Sequence, residues 1–251
     1  MLDWRAKGFW LPEGEVSAAE FAAARHTLFD GSFTWPLLVV RDSAVRANIA
    51  TMAAYAERHG FSFAPHAKTT MAPTLLRAQL EAGAWALTVA TANQALVLRR
   101  LGVPRVVIAN EVLDPTALRW LSAEAARGWE VMIQVDSVAG VEAVRAAGGL
   151  PVLVEIGHDG GRTGCRTVAE AVAVGRAAGP LLAGVTAYEG GLRSQKEVDA
   201  FLAVQVAVTR ELSELLPPEV IVSAGGSAWF DRVIAALEGQ WLPGHTVRAV
   251  L

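Results

Sequence analysis

Eight short apolar runs, each joined to the next by a stretch of helical spacing, constrain this chain more than any other feature. They are residues 61–68 (FSFAPHAK), 85–91 (WALTVAT), 105–110 (RVVIAN), 130–136 (EVMIQVD), 150–157 (LPVLVEIG), 182–190 (LAGVTAYEG), 218–226 (PEVIVSAGG) and 246–251 (TVRAVL). The intervening stretches, such as TLLRAQLEAGA, TANQALVLRRLG and KEVDAFLAVQVAVTRELSELL, stop at Gly83, Gly102, Gly128, Gly148, Gly179 and Pro217. Glycine enters the left-handed conformation that ends a helix, and proline cannot continue one. Alternating strands and helices imply parallel pairing through right-handed crossovers, hence an α/β fold. Eight units in 251 residues suit a (β/α)8 TIM-like barrel, which takes about 250. The competing open, doubly wound sheet places a Gly-rich turn after its first strand, whereas Lys68 is followed by Thr-Thr-Met-Ala-Pro.

The ends are less regular. Residues 1–36 hold Trp4, Phe9, Trp10, Phe33 and Trp35 with no clear period, and read as an extension preceding a barrel over 37–251. LLVV (37–40) reads as a short strand feeding a helix capped by Asp42 or Ser43. The chain stops in an apolar run at Val250-Leu251, as a fragment of a longer protein would. Composition narrows the function. A content of 53% hydrophobic residues with eight Trp is incompatible with disorder, and Cys165 has no partner for a disulfide. A net charge of −3 without a basic run supplies no nucleic-acid footprint. No apolar run approaches the ~20 residues of a membrane span, and the N-terminus lacks a signal-peptide core. The expectation is a soluble, cytoplasmic protein with neither a nucleic-acid nor a membrane partner.

Four segments carry candidate chemistry. In Pro65-His66-Ala67-Lys68, strand alternation turns His66 and Lys68 to one side. Lys68 falls at a strand's C-terminal end, where barrel active sites lie, and an amine among apolar walls there is suited to Schiff-base formation; equally, it is a lysine reaching the rim. His158-Asp159-Gly160-Gly161-Arg162-Thr163-Gly164 aims Arg162 over the mouth as a fixed cation, unless the loop is flexible and Arg162 a surface side chain. His158 and Asp159 read as loop residues. Ser223-Ala224-Gly225-Gly226-Ser227 offers backbone N–H groups to an anion before a helix starting near Phe230, or is a plain turn. Tyr188 is a ring contact for a ligand or a rim aromatic. An amine, a cation, a phenol and an anion cradle on one rim suit pyridoxal 5′-phosphate (PLP).

Taken together, PHAKTT, GGRTG, AYEGG and SAGGS resemble, in order, motifs of the fold-type III PLP enzymes that share the alanine racemase N-terminal barrel. The resemblance is strongest to the D-serine dehydratase, D-threonine aldolase and amino acid deaminase branch. It implies that Lys68 holds the cofactor as a Schiff base and acts as the base. Arg162 would lie near the phenolate oxygen, Tyr188 near the pyridine nitrogen, and His66 beside the ring. Gly225, Gly226 and Ser227 would hold the phosphate. The implied activity is that of a lyase on D-amino acids with a β-hydroxyl, giving a 2-oxo acid and ammonia. Retro-aldol cleavage, a PLP-carrying homeostasis protein and a PLP-free Schiff-base aldolase are the alternatives. In that branch a second, β-rich domain contains the ligands of a divalent metal, and residues 1–36 would belong to it. This sequence offers no metal ligand to carry over. The family's usual homodimer is expected of the full-length protein.

Overall fold

Seven of the eight apolar runs form strands, and all pair in parallel with their sequence neighbours in the order β1 to β7. The strands are β1 (Leu87–Val89), β2 (Arg105–Ile108), β3 (Glu130–Val135), β4 (Val152–Ile156), β5 (Leu182–Ala187), β6 (Glu219–Ser223) and β7 (Thr246–Val250). The computed structural model describes residues 1–251, which divide into two compact units, Met1–Arg46 and Ala47–Leu251. The larger unit contains the whole sheet.

Helices cross between successive strands: α4 (Ala92–Arg100), α5 (Pro115–Ala126), α6 (Val138–Ala146), α7 (Val168–Ala178), α8 (Gln195–Glu211) and α9 (Phe230–Leu237). Five begin at a side-chain cap that satisfies an otherwise orphaned backbone N–H. Thr91 accepts from Gln94, Asp114 from Ala117, Ser137 from Gly140, Thr167 from Glu170 and Ser194 from Glu197. The glycines read as stop signals, Gly83, Gly102, Gly128, Gly148 and Gly179, all have positive φ. Helix α8 is shorter than the apolar pattern suggests. It ends at Glu211 and a 3-10 turn takes Ser213–Leu215, which leaves Leu215 exposed.

Strand alternation sorts the core into two faces. Toward the helices lie Leu87, Val106, Ile108, Val131, Ile133, Val135, Val152, Val154, Val220 and Val222. The opposite face starts as an apolar layer of Ala64, Ala86, Val107, Met132, Leu153 and Val250, packed with Trp85, Ala183 and Ile221. Two residues further along the 61–68 segment, β1, β3, β4 and β6 the same face turns polar, with His66, Thr88, Gln134, Glu155 and Ser223, whereas Ala109 follows β2. The site therefore rests on a packed apolar floor at the C-terminal ends of the strands.

The first run departs from expectation. Residues 61–68 form no ladder strand but an extended segment with isolated parallel bridges, Ser62 to Val250 and His66 to Thr88. Its backbone still bonds to both edges of the sheet. Ser62 N–H donates to Ala249 and Ala64 N–H to Leu251, while Ala67 N–H donates to Thr88 and Thr88 N–H to Pro65. Pro65 has no N–H to give, which interrupts a regular ladder at this point. The chain thus shows a seven-stranded parallel sheet, and not eight ladder strands.

The N-terminal unit is tied by the antiparallel bridges Leu2–Val16 and Phe9–Phe33. Its one short helix, α1 (Ala18–Ala23), starts at a Ser17–Glu20 capping box. Phe9, Phe21 and Phe33 pack edge-on or tilted, with centroids 5.1–5.8 Å apart. The strand expected at 37–40 is absent. Leu38, Val39 and Val40 are exposed, and these residues make no backbone hydrogen bond to a neighbouring segment, so β-propensity there has no edge to join. Helix α2 (Asp42–Arg58) forms where the sequence places a helix, but Asp42 and Ser43, read as its cap, both lie inside it, and the first turn bonds to the Arg41 carbonyl instead; α3 (Pro73–Glu81) follows the lysine segment. No helix is long and apolar enough to cross a membrane.

Candidate active site

A cavity of about 330 Å³ at the C-terminal ends of the strands is lined by every residue singled out from sequence: His66, Lys68, Arg162, Tyr188, Gly225, Gly226 and Ser227. Its volume is within the range of ordinary small-molecule sites. A larger cavity of about 570 Å³ lies elsewhere, between α2 and the Phe61–Phe63 segment, with Glu57 its one ionisable side chain. The chemistry therefore concentrates in the smaller one.

Alternation works as expected in the lysine segment: Pro65 and Ala67 are buried, while His66 and Lys68 turn outward to the cavity. The apolar enclosure expected around the amine is not found. Lys68 is exposed, and its neighbours on the wall, His66, Thr88, Gln134, Glu155 and Arg162, are mostly polar. The segment is held from behind by Gln94, whose Nε2 donates to the Lys68 carbonyl at 3.4 Å. Burial, helped by the nearby Lys68 and Arg162 charges, pushes the His66 imidazole below its usual range, which favours a neutral ring at neutral pH.

The Arg162 loop is held from beneath. Gly157 N–H donates to Cys165 and Cys165 N–H to Glu155, while Gly164 N–H donates to Asp136 Oδ2 at 2.7 Å. Arg166 donates to the carbonyls of Gly161, Thr163 and Gly164. These bonds fix the turn and leave Arg162 exposed on the cavity side. His158 stands against Phe201, centroids 5.5 Å apart, outside the cavity lining. Gly164 has φ +93° and a Cβ there would lie 2.3 Å from Gly157 N. Gly164→Ala should therefore destabilise the fold by about 2 kcal/mol or more, read as a lowered urea midpoint. Cys165 is buried, and burial, with Asp136 and Glu170 nearby, pushes its thiol up to about 12, so it is no nucleophile.

The diglycine turn differs from the sequence reading. Gly225 N–H donates to Glu189 Oε2 at 3.3 Å and Gly226 N–H to Glu189 Oε1. Glu189 is fully buried. Both amides expected to face an anion are taken by this carboxylate. Ser227, exposed at the cavity, keeps its backbone N–H and hydroxyl free of protein partners. Tyr188 is 54% exposed, and its ring occupies space that a Cβ on Gly190 would need, 2.4 Å from the hydroxyl.

Sequence reasoning missed the polar layer itself. Gln134 Nε2 donates to Thr186 Oγ1 at 3.2 Å and Thr88 Oγ1 to the Ala64 carbonyl at 2.7 Å. Glu155 is 3% exposed and accepts from Thr163 Oγ1 at 2.6 Å. Desolvation pushes its carboxyl above the usual range, with Asp136 adding to the effect. The signal was available: at Ala86–Thr88, Met132–Gln134, Leu153–Glu155 and Ile221–Ser223 an inward apolar residue is followed two positions on by a polar one.

An amine, a guanidinium, an imidazole and a carboxyl thus line one cavity at the C-terminal ends of a parallel α/β sheet. Residues 40–242 match the model of the alanine racemase N-terminal domain, and the chain belongs to that family. It is 29% identical over 214 residues to the D-threonine aldolase of an Arthrobacter species, covering 78% of this chain and 56% of that protein. It is 28% identical over 207 residues to the D-threo-3-hydroxyaspartate dehydratase of Delftia sp. strain HT23, covering 76% and 52%. The chain thus spans about half the length of these relatives. Among solved structures, D-threonine aldolase from Filomicrobium marinum superposes with a TM-score of 0.69 at 25% identity, covering 87% of this chain and 62% of the other.

Proposed function

We propose that this chain forms the cofactor-binding part of a PLP-dependent lyase that acts on D-amino acids bearing a β-hydroxyl. The observation that supports it best is the convergence of Lys68, Arg162, Tyr188 and the Gly225-Gly226-Ser227 turn on one cavity. The names of the relatives, an aldolase of D-threonine and a dehydratase of a D-3-hydroxyamino acid, favour the same substrate class. The sheet and the 61–67 segment, which bonds to both of its edges, are read as the eight-membered barrel of this family.

The donor set fits the cofactor. Lys68 supplies the amine for the covalent link, Arg162 a cation for the phenolate oxygen, and Ser227 an N–H and a hydroxyl for the phosphate. Tyr188 and His66, on the same cavity wall, would be the contacts for the ring. Bound there, PLP would supply an electron sink for the carbanion generated at the substrate's Cα. The protein's own part is to orient and to move protons. Lys68 would supply the amine that removes the α-proton. Arg162 and the turn at Ser227 would anchor the cofactor's two polar ends and so orient the substrate towards that amine. Glu155, Gln134 and Thr186 line the cavity above its apolar floor.

Elimination of the hydroxyl gives a 2-oxo acid and ammonia; carbon–carbon cleavage gives glycine and an aldehyde. The two are separated by incubating the PLP-loaded protein with D-threonine, D-serine and D-3-hydroxyaspartate and assaying 2-oxo acid, glycine and aldehyde. Release of any of these products, with the L-isomers inert, is the expected result. PLP binding without turnover of any D-substrate would favour the carrier reading instead.

A further inference from the structure

Among the side chains of the cavity, Glu155 alone has a buried polar atom without a partner. Its Oε1 accepts from Thr163 Oγ1 at 2.6 Å, while Oε2 is buried and unpaired. Buried carboxyl oxygens without a donor are rare because desolvation is not offset, and such an atom in a native fold calls for an explanation. The carboxyl lies on the cavity wall, at the C-terminal end of β4.

The charged groups that act on it are Asp136, Arg162 and Arg166. Asp136 cannot donate as a carboxylate, and it already accepts from Gly164 N–H. Arg166 is committed to three carbonyls of the loop. Arg162 is exposed, has no ion pair, and sits beside Thr163, which is bonded to the other oxygen of the same carboxyl. Of the two arginines that act on this carboxyl, it is the one free to reach Oε2.

We propose that Glu155 is a positioning residue whose unpaired oxygen receives the Arg162 guanidinium and sets it for the cofactor, an inference that rests on reading this cavity as the PLP site. A fixed guanidinium presents its remaining donors in one direction, whereas an exposed arginine must lose rotamer freedom each time it binds. The unpaired oxygen is then a cost borne by the fold for the sake of the site.

The test combines cofactor affinity with stability. Spectrophotometric PLP titration and thermal melts without PLP are measured for wild type, Glu155→Gln, Glu155→Asp, Arg162→Gln and the double variant Glu155→Gln/Arg162→Gln. Glu155→Gln removes a poorly solvated carboxyl, so its melting temperature should not fall, while its Kd for PLP should rise about tenfold. Glu155→Asp, which withdraws the oxygen but keeps the group, should also bind several-fold more weakly and covers the case of a misfolded glutamine variant. The double variant should bind no worse than Arg162→Gln alone, because the two residues act as one unit. Wild-type affinity in both Glu155 variants, or fully additive losses in the double variant, would overturn the role of Glu155 and leave the cofactor site standing. A wild-type protein that forms no Schiff base on Lys68 would overturn the cofactor reading and this inference with it.

Discussion

Lys68→Ala is expected to keep its fold and to lose covalent capture of PLP completely. The side chain is exposed and makes no hydrogen bond or ion pair, and its carbonyl contact with Gln94 does not depend on the side chain. Surface positions of this kind change stability within about 0.5 kcal/mol. Borohydride reduction of the wild type should place a pyridoxyl adduct on the peptide containing Lys68, and the variant should carry none there. Activity on the D-substrate should fall at least about a thousandfold, since both the linkage and the base are removed. An adduct that maps to another lysine would refute the assignment. If Lys68 attacked a carbonyl substrate directly, without PLP, borohydride trapping would instead fix substrate carbon on it in protein that shows no visible Schiff-base band.

The core of this fold was legible in the sequence because period and punctuation agree. The runs 105–110, 130–136 and 150–157 appear as β2, β3 and β4, and the glycines after the helices take positive φ. The first run failed as a strand at Pro65, whose missing N–H is visible in the sequence, although its consequence depends on which neighbours arrive. LLVV failed for the opposite reason: its β-propensity is high, but propensity is realised only where an edge is available.

The site was legible as a set of residues and not as a set of bonds. Lys68, Arg162, Tyr188 and the diglycine turn meet at one cavity because a parallel α/β sheet brings the C-terminal ends of its strands, and the loops that follow them, to one side. The expected apolar surroundings of Lys68 could not be checked from its own segment, since Thr88, Gln134, Glu155 and Arg162 on the same wall come from β1, β3, β4 and the loop after it. Glu155 sits in an apolar run where a single carboxyl looks like an interruption. The step from Leu153 to Glu155, matched by Met132 to Gln134 and Ile221 to Ser223, marks where the packed floor gives way to the site.

Glu189 changes the physical account of the anion turn, and its replacement should show this. Gly226 is buried and Gly225 exposed, so loss of the Glu189 carboxyl leaves the Gly226 N–H without an acceptor while water can serve Gly225. Glu189→Ala should therefore cost about 2–3 kcal/mol, one orphaned N–H plus the space left by a fully buried side chain, measured as a shift in urea midpoint. Glu189→Gln keeps one acceptor oxygen but turns an NH2 toward a donor. If the oxygen stays with Gly226, the cost should be about 1 kcal/mol, because the mispaired site is the wet one. Affinity for PLP should fall with the same ranking, alanine worse than glutamine, because Ser227 follows directly on the turn that Glu189 holds. A diglycine turn that itself cradled the phosphate would behave in the opposite way: freeing both amides in Glu189→Ala would tighten anion binding. Tighter binding of inorganic phosphate by the alanine variant would therefore restore the simpler cradle and remove Glu189 from the site.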